Sequence, residues 1–138
     1  MTRVEVLSLT DEELRIKAAE LMGFERSCDV LDRINGKMIP QWSRDTEDRN
    51  EVAIGVGALP SPHDIAAAYT LGAYAQKLDD EDAQGRTLRM AEFLAWNAGV
   101  KRGEWGADPM YALRLVLGHL TALAITRAFI LAMTQEES

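Results

Sequence analysis

The clearest pattern of apolar and polar positions covers residues 11–22 and is typical of a helix. Apolar residues recur there every three or four positions, as they do on the buried face of a helix. These apolar residues are Leu14, Ala18, Leu21 and Met22. Thr10 lies just before the segment and Glu13 three positions further on, in the spacing of a capping box. The pattern predicts a helix over residues 11–22 that ends at Gly23, a common residue type after a helix.

A β-hairpin is predicted around Asn35 and Gly36, which lie between two short apolar segments. Asparagine and glycine adopt the positive φ angles of a two-residue type I′ turn more readily than other residues do. Pro40 is expected to end the second strand, because proline has no amide hydrogen to donate to a sheet.

Other segments of the first half carry shorter patterns. Apolar residues alternate with polar or small ones at residues 4–6, which favours a short edge strand, and again at residues 52–56, which favours another short strand. Residues 41–50 are polar and charged, so we predict a loop there. Together with the hairpin, these strands predict a small antiparallel sheet.

The second half of the chain is predicted to be helical. Ser61 has the residue type of an N-cap and Pro62 that of a first helical position, so we expect a helix over residues 61–78. Small residues around Gly72 give this helix a face that another element can approach closely.

Residues 87–105 fit two structures. Apolar residues share a helical face through Asn97, but they also recur at even spacing, with residues 97–99 as the turn of a hairpin. Helix propensity favours the helix, because alanine, glutamate, leucine and methionine dominate the segment.

The last predicted helix is the most apolar segment of the chain. Asp108 and Pro109 carry an N-cap signal, and they predict a helix that runs to about residue 133. Apolar residues cover most of its circumference. A helix of that kind is buried on more than one side, so it is either the central element of the fold or in part a subunit interface.

These elements predict an α+β fold, dominated by helices that pack on a small antiparallel sheet; the alternative is a mostly α fold. The length is that of one domain, so we expect a single globular domain over residues 1–138. Cys28 has no second cysteine to pair with, which is typical of a reducing compartment. We expect Cys28 to be a small, part-buried residue rather than a reactive thiol.

A net charge of −7 restricts the classes of partner. Nucleic acids and anionic membranes repel such a chain, so we predict neither as a partner. Residues 111–133 are long enough to span a membrane, but Arg114, His119 and Arg127 interrupt them, and charges inside a membrane cost on the order of a few kcal/mol each. The first residues lack the pattern of a signal peptide, and we expect a cytoplasmic protein.

Candidate chemistry is sparse. No histidine, cysteine or carboxylate residues have the spacing of a metal site and no catalytic motif occurs, so we predict no cofactor and no enzyme. The acidic residues 79–82 lack the alternating ligands of a calcium-binding loop. Residues 55–61 bring glycines to the start of a predicted helix, where free amides and the helix dipole favour an anion. The alternative is a plain capped connection.

The candidate residues for a small anionic, nucleotide-like ligand lie in this loop and near it. They are Arg44, Arg49, Gly55, Gly57, Ser61 and His63. The two arginines would supply positive charge from the preceding segment, although the acidic residues beside them cancel most of their field.

Three segments resemble the phage ABA sandwich family of small bacteriophage proteins: residues 11–24 with the Pro-Gln-Trp-Ser sequence after the hairpin, residues 61–69, and residues 124–133. They cover about half of the chain. The resemblance implies a phage or prophage origin and helices packed on a small antiparallel sheet, and it carries over no functional residue. Residues 87–97 depart from the family, which has strands there, and residues 44–57 depart as an insertion.

The leading hypothesis is a non-enzymatic phage accessory protein in the bacterial cytoplasm, which binds a host protein or sequesters a small anionic ligand. The loop at residues 55–61 and the lack of a catalytic motif favour it. One alternative is a structural or assembly protein that forms homo-oligomers, favoured by the small residues around Gly72 and by the apolar last helix. The other is a small hydrolase or nuclease that uses His63 with nearby carboxylates.

Overall fold

The computed structural model of the protein describes residues 1–78, 82–101 and 103–134, and for Trp105 the backbone alone. Its helices are α1 (Arg3–Ser8), α2 (Asp11–Leu21), α3 (Ile65–Lys77), α4 (Ala83–Asn97), α5 (Glu104–Ala107), α6 (Pro109–Gly118) and α7 (Ala122–Thr134). Its strands are β1 (Glu25–Arg26), β2 (Val30–Asp32), β3 (Lys37–Ile39), β4 (Gln41–Asp45) and β5 (Asn50–Ile54). The fold is α+β and dominated by helices, as predicted.

Helix α7 forms the centre of the core. It packs against α1, α2, α3 and α4. Ala128, Phe129 and Ile130 are fully inaccessible to solvent, and most of the helix is buried on all sides. The prediction that the last apolar segment holds the central element of the fold is therefore confirmed for α7.

The prediction of one continuous last helix is wrong, because the chain bends by 108° between α6 and α7. Gly118 is the last residue of α6, and Thr121 caps α7 by accepting a hydrogen bond from the Ala124 amide at 3.1 Å. Glycine and threonine commonly end and begin helices, but apolar neighbours hide that signal in the sequence. Among the described residues no single helix has both the length and the apolar composition to cross a membrane; α6 and α7 meet that test only as a bent pair.

An antiparallel sheet has the strand order β1-β4-β5. The loop predicted at residues 41–50 is wrong for its first part, which is β4, while β5 confirms most of the strand predicted at residues 52–56. Trp42 on β4 is only 2% exposed, and Arg44 forms an ion pair with Glu51 on β5 at 2.6 Å. Burial of a large aromatic ring and a cross-strand ion pair outweigh the polar composition of the segment.

The predicted hairpin is confirmed by β2 and β3, which pair antiparallel and end before Pro40. The turn differs from the predicted two-residue turn, because the four residues at positions 33–36 connect Asp32 to Lys37. Gly36 has a φ of 69°, whereas Asn35, like every other described non-glycine residue, has no positive φ. The Asp32 carboxylate accepts a hydrogen bond from the Asn35 side chain at 2.9 Å, which favours the longer turn.

The short edge strand predicted at residues 4–6 is wrong, because these residues lie in α1. Thr2 caps this helix by accepting a hydrogen bond from the Glu5 amide at 3.2 Å. Val6 is fully buried, while Val4 is 76% exposed. Positions two apart point about 200° apart around a helix, whereas in a strand both valines would face the same side.

The helices predicted in the second half are present. Helix α3 ends at Lys77, as expected, and α4 runs to Asn97, so the alternative hairpin with a turn at residues 97–99 is wrong. Gly99 follows α4 with a φ of 83°, the left-handed conformation that often ends a helix. Of the acidic residues 79–82, the first three lie outside the described residues.

Cys28 lies between β1 and β2 and is exposed, so the prediction of a part-buried residue is wrong. The two strands belong to different sheets. Their connection runs over the protein surface, where short loops stay accessible to solvent.

The capping box predicted at the start of α2 is confirmed. Thr10 accepts a hydrogen bond from the Glu13 amide at 3.2 Å, and the Glu13 carboxylate accepts one from the Thr10 amide at 3.1 Å. Hydrogen bonds to Thr10, first to its amide and then to its side chain, hold the pKa of the Glu13 carboxyl below its ordinary value of 4.5. Because the folded-state pKa is lowered, the box contributes stability above the ordinary pKa, and this is lost as the pH falls through the lowered one.

We expect Thr10→Ala to raise the pKa of Glu13 towards 4.5, because the variant loses the hydroxyl and loosens the first turn. An NMR titration of the Glu13 side-chain carboxyl carbon measures the change. Thr10→Ser is the control, since serine keeps a hydroxyl in the same place and should keep the lowered pKa. An unchanged pKa in Thr10→Ala would show that the Thr10 hydroxyl does not contribute to lowering it.

Candidate functional site

The predicted anion site depends on a helix that begins near Ser61, but α3 begins at Ile65. Asp64 is the N-cap, and its carboxylate accepts a hydrogen bond from the Ala66 amide at 3.0 Å. Ser61 instead accepts one from the His63 amide at 3.1 Å, in a turn before the helix. The N-terminus of α3 thus already carries a carboxylate, which repels a second anion.

The predicted anion-binding loop uses much of its backbone for internal contacts. Gly55 donates its amide hydrogen to the Pro40 carbonyl at 2.7 Å. The Arg15 guanidinium on α2 donates to the carbonyls of Gly57 and Leu59, at 3.3 Å each. Sequence reasoning missed Arg15 because its two partners lie 42 and 44 residues away, with no local pattern to connect them.

Arg44, a predicted ligand-binding residue, holds α2 to the sheet. Its Nη2 donates to the Glu51 carboxylate at 2.6 Å, and its Nη1 to the Met22 carbonyl at 3.0 Å. The guanidinium also lies over the Phe24 ring, 4.7 Å from the centroid, in a cation–π contact. With only 17% of its side chain exposed, Arg44 has few donors left for a ligand.

Arg49 lies at an open groove of about 470 Å³ along β5. The groove is lined by Phe24, Arg49, Asn50, Glu51, Val52, Ala53, Ala58 and Pro60. The Arg49 side chain is 75% exposed, and its Nη2 lies 3.5 Å from the Glu51 carboxylate. Because Glu51 pairs with both Arg44 and Arg49, its carboxylate offsets part of their positive charge, and solvent screens the exposed Arg49.

His63 lies beside Asp11, with 2.8 Å between the ring Nε2 and Oδ2 of the carboxylate. A histidine next to a carboxylate is an arrangement used in general base catalysis. Both side chains are more than half exposed, and neither lines the groove along β5. The predicted site residues therefore do not converge on one place, because Arg49 lies at the groove and His63 at the start of α2.

Gly55 and Gly57 are expected to differ sharply in their tolerance of alanine. Gly55 has φ 84° and ψ 156°, a conformation almost restricted to glycine, so Gly55→Ala should lower the free energy of unfolding by about 1–3 kcal/mol. A Cβ on Gly57 would meet nothing within 4 Å, so Gly57→Ala should be neutral or stabilising by up to about 1 kcal/mol. Urea unfolding of both variants tests this, and equal effects would contradict it.

Helix α6 exposes an apolar surface, although the sequence pattern predicts these residues to lie in one long buried helix. The exposed large apolar side chains of α6 are Met110, Tyr111, Leu113 and Leu117, which are 61%, 50%, 41% and 60% exposed. We call these four residues the α6 apolar face. Ala112, on the opposite side, is fully buried where α6 packs on α4 and α5. Arg114 is the one charged residue of α6, and it is exposed.

No metal site in the described part of the chain and no similar protein identifies the chemistry of these surfaces. Within residues 1–78, 82–101 and 103–134, no group of three or more histidine, cysteine, aspartate or glutamate side chains is placed to hold a metal ion. The resemblance to the phage ABA sandwich family stays a prediction. The chain matches no model of a known protein family, no curated protein and no solved structure.

Proposed function

We propose that the protein acts by binding another protein through the α6 apolar face and not by catalysing a reaction. One observation carries the proposal: Met110, Leu113 and Leu117 are large apolar side chains that are exposed side by side along one helix. Single exposed apolar residues are ordinary, but a continuous patch marks a surface that another molecule covers.

The spacing of these residues supports helical recognition. Met110, Leu113 and Leu117 lie at positions i, i+3 and i+7, which place them on one side of a helix. Anchors at this spacing hold amphipathic helices in apolar grooves of their partners. Tyr111 lies about 100° around the helix from Met110, where its aromatic ring can contact the rim of the partner while its hydroxyl stays hydrated.

Helix α6 is formed before any partner binds, which favours affinity. Asp108 caps it by accepting a hydrogen bond from the Tyr111 amide at 3.1 Å. Pro109 occupies the first helical position, where its fixed φ suits the helix. Binding then orders side chains alone, so less entropy is lost than in the folding of a disordered segment.

Binding through this face fits both hypotheses from the sequence that involve a protein partner, a host protein in the bacterial cytoplasm and a second copy of the chain. Two contacts support protein binding over anion capture. The ion pair with Glu51 neutralises the positive charge of Arg44, and the Asp64 cap places a negative charge at the N-terminus of α3.

In-cell photo-crosslinking tests the proposal. A photoreactive phenylalanine in place of Tyr111 is expected to give a crosslinked product of discrete mass. Leu117→Glu should abolish this product, because a carboxylate would be buried in the interface. Leu88→Glu on α4 is the matched control, since Leu88 is also 60% exposed.

Two outcomes would contradict the proposal. One is the absence of any crosslinked product. The other is a product that Leu88→Glu abolishes and Leu117→Glu does not. That result would move the binding surface to the apolar groove between α3 and α4, which Leu88 lines.

A second candidate function, capture of a small anion, is favoured by Arg49 alone. This side chain is 75% exposed at the groove along β5. Native mass spectrometry with a mixture of nucleotides tests it: a retained nucleotide that Arg49→Gln releases would support capture, and an unliganded spectrum would dispose of it.

A further inference from the structure

We infer that the partner of the α6 apolar face is a second copy of this chain, with the two α6 helices antiparallel about a twofold axis. The inference rests on the proposed function, because it names the partner of the same surface. A twofold pair uses one surface twice, so this surface has to complement itself. The arrangement of residues along α6 meets that condition in two respects.

The first respect is the placement of the apolar side chains. Met110 and Leu117 lie equally far from the point between Leu113 and Arg114, on opposite sides of it. In an antiparallel pair centred on that point, Met110 of each copy meets Leu117 of the other. The two Leu113 side chains meet beside the axis. Every large side chain of the stripe then packs on another one, as the ridges of paired helices do.

The second respect is the electrostatics of the helix ends. Asp108 lies at the N-terminus of α6, and His119 follows its C-terminus, with Nδ1 donating to the Leu115 carbonyl at 2.8 Å. Antiparallel packing places the N-terminal end of each helix, where the dipole is positive and Asp108 lies, beside the C-terminal end of the other, where the dipole is negative and His119 lies. Parallel packing would bring the two Asp108 carboxylates together and align the helix dipoles unfavourably.

Arg114 weakens the twofold pair but would strengthen a complex with an acidic partner, so it distinguishes the two. The twofold axis passes beside this residue, which brings the two guanidinium groups to the same edge of the interface, where they repel. A different protein that bound α6 with an acidic rim would be attracted by Arg114. Removal of this charge therefore tightens the twofold pair and weakens the other complex.

The surface favours a weak protein dimer over a lipid surface. Stable interfaces bury about 800 Å² on each partner, and one face of a helix of 10 residues supplies less. We therefore expect a dissociation constant on the order of 10–100 μM. Helices that lie on membranes carry several lysines or arginines beside their apolar face, whereas α6 carries Arg114 alone.

Sedimentation velocity of the full chain across a concentration series tests the pair. The wild type is expected to change from monomer to dimer within that range. Leu117→Glu should weaken the dimer by more than about tenfold, because its carboxylate would face Met110 of the other copy. Leu88→Glu should leave it unchanged, and Arg114→Gln should tighten it by about threefold. A monomer at every concentration, or a weaker dimer in Arg114→Gln, would overturn the inference.

Disulfide crosslinking tests the orientation. In a Cys28→Ser background, which removes the exposed native thiol, Leu113→Cys should form a disulfide between copies under mild oxidation. Met110→Cys alone should not, because the two positions lie about 10 Å apart along antiparallel helices, beyond the reach of a disulfide. The double variant Met110→Cys/Leu117→Cys should crosslink. A disulfide formed by Met110→Cys alone would overturn the antiparallel arrangement.

Failure of this inference and failure of the proposed function are distinguishable. A monomeric wild type whose photo-crosslink at position 111 captures a discrete partner would overturn the twofold pair and leave the proposed function standing. A monomeric wild type with no crosslinked product would overturn both.

Discussion

Phe129→Ala is expected to lower the free energy of unfolding by about 3–5 kcal/mol, the range for removal of a fully buried aromatic ring. Phe129 is inaccessible to solvent at the centre of α7. Its ring also contacts Tyr74 edge to face, with 6.4 Å between the centroids, a geometry that adds to the energy of burial. Alanine would leave a cavity where α7 meets the helices around it.

Urea unfolding measures this change as a lower midpoint with an unchanged slope. Leu117→Ala is the control: this side chain is 60% exposed on α6, so its removal should change the stability of the monomer by less than about 0.5 kcal/mol. A loss below about 1 kcal/mol for Phe129→Ala would show that α7 is not the centre of the core.

Arg86→Met is expected to lower the free energy of unfolding by about 2–3 kcal/mol, because it leaves one buried and one partly buried carbonyl group without their donor. Arg86 lies on α4 and is only 5% exposed. Its Nε donates to the Ala75 carbonyl at 3.2 Å, and its Nη2 to the Leu78 carbonyl at 3.4 Å. Carbonyls at the end of a helix have no partner within the helix, so Arg86 on α4 caps the C-terminus of α3.

Two further variants show whether the hydrogen bonds or the side-chain volume matter at this position. Arg86→Lys keeps the charge but lacks the planar fork of donors, and it should lose an intermediate amount of stability. Arg33→Met, in the exposed turn of the hairpin, should have no measurable effect in the same urea unfolding experiment. If Arg86→Met were as stable as the wild type, the hydrogen bonds to α3 would contribute nothing.

Local signals in the sequence predicted local structure well. Thr10 and Glu13 form the predicted capping box because both partners lie within one turn of α2. At α3 the same kind of signal predicts the wrong start of the helix. Ser61 and Asp64 are equally good caps by residue type, and the structure uses Asp64. A choice between two caps three residues apart depends on how the whole helix packs, which no local pattern contains.

Structure that depends on distant partners could not be predicted. Strand β4 looked like a loop because its stability comes from the burial of Trp42 and from the pairing of Arg44 with Glu51. Distant partners also explain why the candidate site is wrong for Arg44. In the sequence this residue looks like a free positive charge, but its partners Met22 and Glu51 lie in other elements of the fold. The apolar surface of α6 was hidden by the apparent continuity of the last helix, and the bend after Gly118 separates it from the core.

The position of α7 in the chain has a consequence for synthesis on the ribosome. Helices α1 to α4 all pack on α7, yet each of them leaves the ribosome before it. Until residues 122–134 emerge, Leu14, Leu71 and Phe93, which are buried in the finished core, lack the surface they pack against. Until then these apolar side chains are a substrate for chaperones that bind such segments, and the core is completed only once α7 has emerged.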